Sequence, residues 1–561
     1  VSWRDGVALV LVLTIMLLVG LNARHLFEPF TAVHQPTISL SPSALPGYAL
    51  RTTLRMFAAL AASLFFTLTY ATLAAKNHRA GTVLIPLLDV LQSVPILGYL
   101  SFTVVFFVSL FPGKMLGPEL AAVFAIFTSQ AWNMTFSFYQ SLRTVPTDLE
   151  EVSRSLRLTG WQRFWRLEVP FAMPGLVWNT MVSMSGGWFF VVASESIAVG
   201  ALQIKLPGIG SYVATAIEDH NFGAIGWAIL TMAIVILIYD QLFFRPLVAW
   251  ADKYRVGTTA AQIVPRSWLL DLFKKARVVD ELWSPIASAL DRIGRARMVF
   301  VHRPIAVRGP RTPTRVVDVL WYLAVAALAA YLIWRLQEFA AGHIGWQDVR
   351  TVAAAGALTL LRVIVLIAIA TVIWVPIGVA VGLRPRLAAR VQPIAQLLAS
   401  FPANLLFPIA VVAIVHFHLA PAIWLSPLMI LGTQWYILFN VIAGSAAFPA
   451  DLREAAASFR IHGWRWWRYV ALPGIFPYYV TGAVTASGGA WNASIVAEVA
   501  RWGSTTLDAG GLGSYIARMT TAGDFPRIAL GIATMSFIVV CLNRLIWRPL
   551  YGYAERRTRL D

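Results

Sequence analysis

Apolar residues in this chain gather in long blocks, and polar residues gather between them. Several blocks run beyond 18 residues, enough to cross roughly 30 Å of hydrocarbon as a helix. In chain order they predict spans at Val7–Leu21, Tyr48–Ala75, Val83–Phe111, Pro118–Gln140, Gly175–Ala193 and Ala224–Phe244. The third is interrupted by Pro86 and Pro95. After a long polar stretch the pattern returns at Val316–Leu336, Val352–Leu383, Val391–His418, Pro421–Val441, Tyr478–Val496 and Ile528–Leu545. The expected fold is an all-α polytopic membrane protein of two tandem six-helix halves, about 12 transmembrane helices in total.

The halves share more than hydropathy. Pro146–Pro170, a polar and basic island, returns 303 positions later as Pro449–Pro473, with nine of its 25 positions identical. The same spacing relates Trp188 to Trp491, Glu195 to Glu498, and Arg245-Pro246-Leu247 to Arg548-Pro549-Leu550. It also relates Gly208-Ile209-Gly210-Ser211-Tyr212 to Gly511-Leu512-Gly513-Ser514-Tyr515. Pro86 and Pro95 match Pro393 and Pro402 after a small change of length. Because each half has an even number of spans, the repeats run parallel and should enclose one pathway. The domains expected are 1–255 as the first half, 256–315 as a basic linker and 316–561 as the second half.

Charge sets the orientation. The chain is 58% hydrophobic and 13% charged, yet its formal net charge is +18. Basic residues concentrate in loops 76–79, 141–168 and 245–255, whereas 112–118 and 195–223 are poor in them. Such a bias puts the basic loops, and with them both termini, in the cytoplasm. Arg24, Arg51 and Arg55 run against it. Membrane topology accounts for the charge, so nucleic acid is not expected as a partner. In the linker, Arg266–Arg277 reads either as an amphipathic helix on an anionic leaflet or as a basic tether. Cys541 is the only cysteine, so no intrachain disulfide can form. Val7–Leu21 is followed by no clean small-x-small cleavage site and reads as a retained helix.

Each repeated island opens with a helix-start signal. Asp148 and Asp451 are placed to cap free N–H groups, and Glu151 and Glu454, three residues on, to complete a capping box. Gly160 and Gly463 suit the left-handed residue that ends a helix. A short helix, a turn and a second amphipathic segment with Trp161 and Phe164 (Trp464 and Trp467) are expected. A membrane protein that keeps two copies of one soluble loop presents them to something soluble.

The copy Glu454-Ala455-Ala456, with a turn and Leu472-Pro473 after it, resembles the Glu-Ala-Ala loop of permease subunits of binding-protein-dependent ABC importers. The first copy reads Glu151-Val152-Ser153. Both copies carry arginine, Arg157 and Arg460, six residues after the Glu, where that family usually has glycine. Pro86–Pro95 and the stretch from Glu195 to Gly210 look like the nitrate/sulfonate/taurine branch, and two copies in one chain resemble its duplicated anion-transport members.

The resemblance implies a type I ABC importer-like permease of the bacterial inner membrane. It implies that Asp148, Glu151, Arg157 and Gly160, with Asp451, Glu454, Arg460 and Gly463, belong to coupling helices docked on a homodimer of a cytoplasmic ABC ATPase. ATP and Mg would sit on that partner, with no cofactor on this chain. An external or periplasmic solute-binding protein would deliver a small solute, an anion such as nitrate, sulfonate, taurine or bicarbonate, and no second permease chain would be needed. No Gly-x-x-x-x-Gly-Lys-Ser/Thr phosphate loop occurs in the sequence, so ATP hydrolysis is expected on a separate subunit and this chain is not expected to be an enzyme. The alternatives are a fused ferric-iron-type ABC permease and a secondary transporter of two six-span halves. The latter predicts a loop motif between spans two and three, where only Lys76–Gly81 lies.

Polar groups inside spans are costly and tend to face a cavity or a partner helix. Gln92, Ser93, Gln130 and Asn133 are such groups in the first half, and Asn404, Gln434 and Asn492 in the second. Gly186-Gly187 and Gly488-Gly489 place small residues where the fifth helices can cross closely and read as packing, while Trp188 and Trp491, just after them, are pathway candidates. Glu195 and Glu498 end the fifth spans on the outer side. They read as gate or binding-protein contacts, or as exposed helix-end charges. No metal site is expected, since His416 and His418, two apart, point to different sides of a helix.

Overall fold

The computed structural model describes residues 37–200, 202–254, 267–275, isolated positions between 284 and 338, 342–446, 448 and 450–558. The expected spans Val7–Leu21 and Val316–Leu336 lie wholly or largely outside these, as does most of the linker, of which Trp268–Lys275 is helical.

The first half runs through α1 (Leu45–Lys76), α2 (His78–Leu91), α3 (Ile96–Leu110) and α4 (Leu116–Arg143). The loop helix α5 (Thr147–Ser155) and the long α6 (Val169–Glu195) follow. A hairpin, β1 (Ser196–Val199) with β2 (Leu202–Lys205), then leads to α7 (Ile209–Glu218) and α8 (Phe222–Tyr239). The second half repeats the order. It has α9 (Trp346–Gly382), α10 (Pro385–Ser400), α11 (Phe407–His416), α12 (Trp435–Ala446), the loop helix α13 (Ala450–Ser458) and α14 (Leu472–Ala497). β3 (Val499–Trp502), β4 (Thr505–Asp508), α15 (Leu512–Ala522) and α16 (Phe525–Leu542) complete it.

The third span of each half is an elbow, not a rod. α2 and α3 meet at 103°, and α10 and α11 at 75°. Pro95 and Pro402 stand in the breaks, where proline lacks an N–H and pushes the residue before it out of helical geometry. The expected span Pro421–Val441 is also broken: Pro421–Trp424 and a turn at Ser426–Met429 precede α12. Among the described residues five helices are long and apolar enough to cross a membrane, or seven with each elbow taken as one span. α4 and α14 are long enough, but Ser, Thr, Asn and Gly make them too polar to face lipid. They take inner positions accordingly: α4 packs between α1 and α6, and α14 against α12 and α9. Phe65, Trp227, Val372 and Phe537 stay exposed on the outer helices, as lipid-facing side chains do.

The elbows tie the halves together. α3 packs on α14 and α16, while α10 packs on α6 and α8. The backbone N–H of Ile96, at the start of α3, donates to Oδ1 of Asn492 at 2.6 Å, and Ser400 Oγ meets Ser185 Oγ at 2.9 Å. At the far end of α6 each hairpin reaches the helix after the hairpin of the opposite half, α15 or α7, in a reciprocal contact. Gly200 N donates to Thr520 O at 3.0 Å and Gly503 N to Ile217 O at 2.9 Å, each atom standing 303 positions from its equivalent. Trp502 packs there between His220, 5.5 Å away edge-on, and Phe222 at 4.2 Å. The 27 residues of α6 hold this hairpin end about 40 Å from the loop end.

Gly503 has φ +55, and a Cβ there would overlap the His220 imidazole. Gly503→Ala is expected to cost roughly 1–3 kcal/mol, read as a lower thermal midpoint of the purified chain. His220→Ala should recover part of that loss. An unchanged midpoint in the single variant would mean that the second hairpin does not pack on His220 in this way.

Candidate functional site

Three features could serve transport: the braced hairpin end, a cavity between the halves, and the paired loops. At the hairpin end Glu195 closes α6 with its carboxylate fully buried. Its Oε1 accepts from Thr52 Oγ1 and from Arg55 Nη1, both at 2.7 Å. Its Oε2 accepts from the backbone N–H of Gly210 at 2.7 Å, in the first turn of α7. The second half repeats this chemistry. Glu498 accepts from Thr359 Oγ1 at 2.8 Å, Arg362 Nη1 at 3.1 Å and the backbone N–H of Ser514 at 3.0 Å. A helix start offers free N–H groups and partial positive charge, so it can hold a buried carboxylate. Gly208 and Gly511 leave the room, since a Cβ at either would collide with the glutamate carboxylate.

The braces differ in the backbone N–H they use, since Gly210 corresponds to Gly513 and not to Ser514, and in the other partners of the arginine. Arg55 also grips Glu119 through Nε and Nη2, both at 2.6 Å. The matching position in the second half is Ala422, and Arg362 turns to the backbone carbonyls of Ala422 (3.3 Å), Ala509 (2.6 Å) and Gly510 (2.5 Å). The reading of Glu195 and Glu498 as outward gate or binding-protein contacts is therefore corrected: both are internal, each held by an arginine. Arg55, which ran against the charge bias, is the counter-ion of two carboxylates.

Between the halves lies a cavity of about 250 Å³. Of the pathway candidates, Gln92, Asn133 and Asn492 line it. The others are engaged elsewhere. Ser93 Oγ donates to Asp89 O, and Gln130 is buried against Met56 and Ser63. Asn404 Nδ2 donates to Phe189 O, and Gln434 Oε1 accepts from Trp374 Nε1. Trp188 and Trp491 are buried on the opposite side of their helices from Gly186 and Gly489, Trp188 edge-on to Tyr239. Residues not singled out in the sequence complete the lining, among them Trp132, Ser183, Thr433 and Tyr436. Trp132 carried a signal, since it matches Trp435 at the 303 spacing; Ser183 matches alanine and carried none. Among the described residues no Asp, Glu, Lys, Arg or His lines the cavity, and no cluster of His, Cys, Asp or Glu is fit to hold a metal.

The loops are built alike but not as the capping signals suggested. Pro146 is the N-cap of α5 and no side chain caps its start, so Asp148 and Glu151, both exposed, form no capping box. The box forms one element later, where Thr159 Oγ1 accepts from Gln162 N and Gln162 Oε1 accepts from Thr159 N. The Asp451 side chain lies outside the described residues, and Glu454 is exposed. Nor does Gly160 end α5: Arg157 does, with φ 51, as Arg460 ends α13 with φ 51. In the first loop Arg157 N bonds Arg154 O and Leu158 N bonds Ser153 O. In the second, Arg460 N bonds Ala457 O and Ile461 N bonds Ala456 O. These paired bonds make the Schellman turn, whose left-handed residue is ordinarily glycine. Gly463 is itself left-handed at φ 63, while Gly160 opens the next helix. Just before each arginine stands a matched apolar side chain, Leu156 at 66% and Phe459 at 78% exposure.

Two parallel helical repeats around one shared cavity, with matched loops at one end and braced hairpins at the other, define a duplicated membrane permease. The chain belongs to the family of binding-protein-dependent transport system inner membrane components, whose pattern it matches twice, over residues 67–244 and 374–559. It is similar to the bicarbonate transport system permease protein CmpB of Synechococcus elongatus, 29% identical over 178 residues, 32% of this chain and 58% of the relative. It is 26% identical to the nitrate import permease protein NrtB of Synechocystis over 170 residues, 30% of this chain and 57% of the relative. It is 29% identical to the glycine betaine/carnitine transport permease protein GbuB of Listeria monocytogenes over 170 residues, 30% and 54%. The chain thus spans little more than half the length of the curated relatives it matches.

The unequal braces predict unequal sensitivity. Glu498→Ala leaves Arg362 buried with neutral carbonyls alone and is expected to cost about 3–5 kcal/mol. Glu195→Ala leaves Arg55 its bidentate bond to Glu119 and should cost clearly less. Thermal unfolding of the two variants side by side decides it; equal losses would mean that Glu119 does not share the charge of Arg55.

Proposed function

We propose that this chain is the whole membrane-spanning part of an ATP-driven importer of a small solute. One observation carries the reading: at the same position of both loops an exposed apolar residue, Leu156 or Phe459, is followed by an arginine held in a left-handed turn. Each such residue strains its backbone by roughly 1–2 kcal/mol, and a solvated loop has no use for an exposed phenylalanine. Two loops that keep both features offer matched contact surfaces to a protein with two equivalent sites.

A homodimer of a cytoplasmic ABC ATPase is that partner, with ATP and Mg bound to it. Asp148, Glu151, Arg157 and Gly160, with Glu454, Arg460 and Gly463, stand in the paired loops as its contacts, and both termini are cytoplasmic. Closure of the ATPase pair draws the loops together and, through α6 and α14, opens the hairpin end to receive solute from a binding protein. The relatives named for bicarbonate and nitrate support a small anion as cargo.

The test is capture and uptake. Leu156→Glu combined with Phe459→Glu, and separately Glu151→Arg combined with Glu454→Arg, should reduce co-purification of the ATPase and uptake into cells at least about tenfold, since a charge buried at an interface costs several kcal/mol. The thermal midpoint of the chain should stay as it was, because these side chains are exposed. Normal uptake in both double variants would refute the reading.

A further inference from the structure

The second loop lacks the supports that hold the first. Past its Schellman turn the first loop is clamped by charge. Arg163 meets Glu150 at 2.6 Å and Glu168 at 3.1 Å, and Lys76 meets Glu168 at 2.6 Å. The described part of the linker lies over the same segment. Gln162 Nε2 donates to Arg295 O at 2.9 Å, and a Cβ on Gly294 would stand 3.6 Å from the Cβ of Trp165. Asp291, paired with Arg295, is within electrostatic reach of Arg166. Trp161 and Trp165 are half-buried as a result. The equivalents of Gln162, Arg163, Trp165, Arg166 and Glu168 are Arg465, Trp466, Arg468, Tyr469 and Ala471, so these contacts are not repeated.

In the second loop the chain winds from Gly463 into α14 through one wide turn at Trp467–Ala471. Its burial runs in pairs. Trp464 and Arg465 are exposed, Trp466 and Trp467 half-buried, Arg468 and Tyr469 exposed, Val470 half-buried and Ala471 buried, and Leu472 is exposed again. A helix with that rhythm has an inner and an outer face. Trp466 and Trp467 pack inward against the core. The outer face carries Trp464 at 73% and Tyr469 at 64% exposure, with the two arginines beside them. No acidic residue occurs between Glu454 and Glu498. Among the described residues neither Arg465 nor Arg468 is paired with a carboxylate. Arg468 has the ring of Tyr469, 5.6 Å from its guanidinium carbon.

Position and charge say what covers this face. α14 has 26 residues and is about 39 Å long, against roughly 30 Å of hydrocarbon. Its first turns, and Arg468 and Tyr469 just before them, therefore reach the headgroup layer. The helix Arg548–Thr558 packs on α14 at that end, with Tyr553 against Phe476 at 6.1 Å, and Tyr551 and Tyr553 stay exposed there. Tyrosine and tryptophan collect at this depth of a bilayer. Two uncompensated arginines among such rings suit an anionic surface. The linker that covers the first loop is itself basic and would be repelled. Nor does the face belong to the surface matched between the loops, because its counterpart in the first loop is covered.

We propose that the membrane itself holds the second loop: Arg465 and Arg468 take the phosphate of an anionic phospholipid in the cytoplasmic leaflet, with Trp464 and Tyr469 lying among the headgroups beside it. A guanidinium is a planar fork of donors, and phosphate oxygens accept from it. The leaflet then does for the second loop what Glu168, Lys76 and the linker do for the first. This lipid site needs neither an ATPase nor a solute, so it stands or falls apart from the permease reading.

Limited trypsin digestion of the purified full chain tests it, in nanodiscs of phosphatidylcholine and in nanodiscs of phosphatidylcholine and phosphatidylglycerol in equal parts. Trypsin cuts after arginine, and mass spectrometry reads the new chain ends. Cleavage after Arg465 and Arg468 is expected to be at least about tenfold slower in the phosphatidylglycerol discs. Cleavage after Arg157, exposed in the first loop, should proceed at one rate in both. Salt at about 0.5 M should narrow the difference between the discs. Arg468→Gln removes one charge and should reduce the lipid effect on cleavage after Arg465 by about fivefold. Thermal midpoints show whether the variant is folded. Equal rates after Arg465 and Arg468 in the two kinds of disc, no cleavage in either included, overturn the proposal. So does slowing after Arg157 to the same extent, and so does a folded Arg468→Gln chain whose cleavage after Arg465 keeps its full dependence on phosphatidylglycerol.

Discussion

A carboxylate buried at the end of a membrane helix has to be met by donors, and the hairpin end of this molecule is arranged around that requirement. Taking a carboxylate and a guanidinium out of water costs several kcal/mol for each ion. Here the cost is offset by one arginine, one threonine and one peptide N–H for each glutamate. The arginine and threonine come from α1 in the first half and α9 in the second, and the N–H from the helix after the hairpin, α7 or α15. α6 and α14 are each thereby joined to two other helices that their apolar surfaces alone would not fix in register. Gly208 and Gly511 follow from the same need, because the carboxylate occupies the space a Cβ would take. The hairpins are then held where Gly200 and Gly503 reach across to the opposite half.

The loop end obeys a different constraint. A Schellman turn needs one left-handed residue, and glycine adopts that conformation without steric cost. Arginine does not, yet both loops place it there with the same φ. Strain kept at equivalent positions of two diverged copies points to a side chain wanted for what it touches, not to tolerance of a chance substitution. The first loop is also clamped to the membrane part through Glu168, which meets Lys76 at 2.6 Å and Arg163 at 3.1 Å. At the matching positions the second loop has Ala471, Leu383 and Trp466. The two loops therefore present a similar surface from unequal supports.

Much of this was legible in the chain because hydropathy and repetition are long-range signals. The helices α1, α4, α6, α8, α9 and α14 lie where apolar blocks predict them, and the matched loop and Gly-x-Gly-Ser-Tyr segments mark the two structured ends. What stayed hidden depends on which way side chains point. Glu195 looked like a surface charge because its partners, Thr52 and Arg55, are more than a hundred positions away. Thr359 and Arg362 stand 307 positions beyond Thr52 and Arg55, the spacing that also relates Pro86 to Pro393, so the pairing was present in the repeat but needed contact geometry to be recognised. The capping box was misplaced for a local reason: Pro146 takes the N-cap position, and Thr159 with Gln162 satisfies the later helix start instead. The cavity lining was the least readable part, since Gln130 and Asn133, three residues apart on α4, end one in packing and the other in the cavity.

Duplication within one chain gives the molecule a freedom that two identical chains lack. In a symmetric pair, any residue facing the central axis is met by its own copy, so a cavity on that axis has matching walls. Here the ends have stayed nearly equivalent while the middle has not. The buried glutamates, the reciprocal hairpin contacts and the left-handed arginines keep their counterparts. At equivalent positions of the repeats, Phe189 in the cavity wall is matched by Asn492, Ser183 by Ala486 and Gln92 by Ala399. Walls that are not copies of one another can offer different contacts on their two sides, which a pair of identical chains cannot do on its axis. Symmetry at the ends and its loss at the centre therefore coexist in one fold: the braces, hairpins and loop turns repeat, and the cavity walls between them do not.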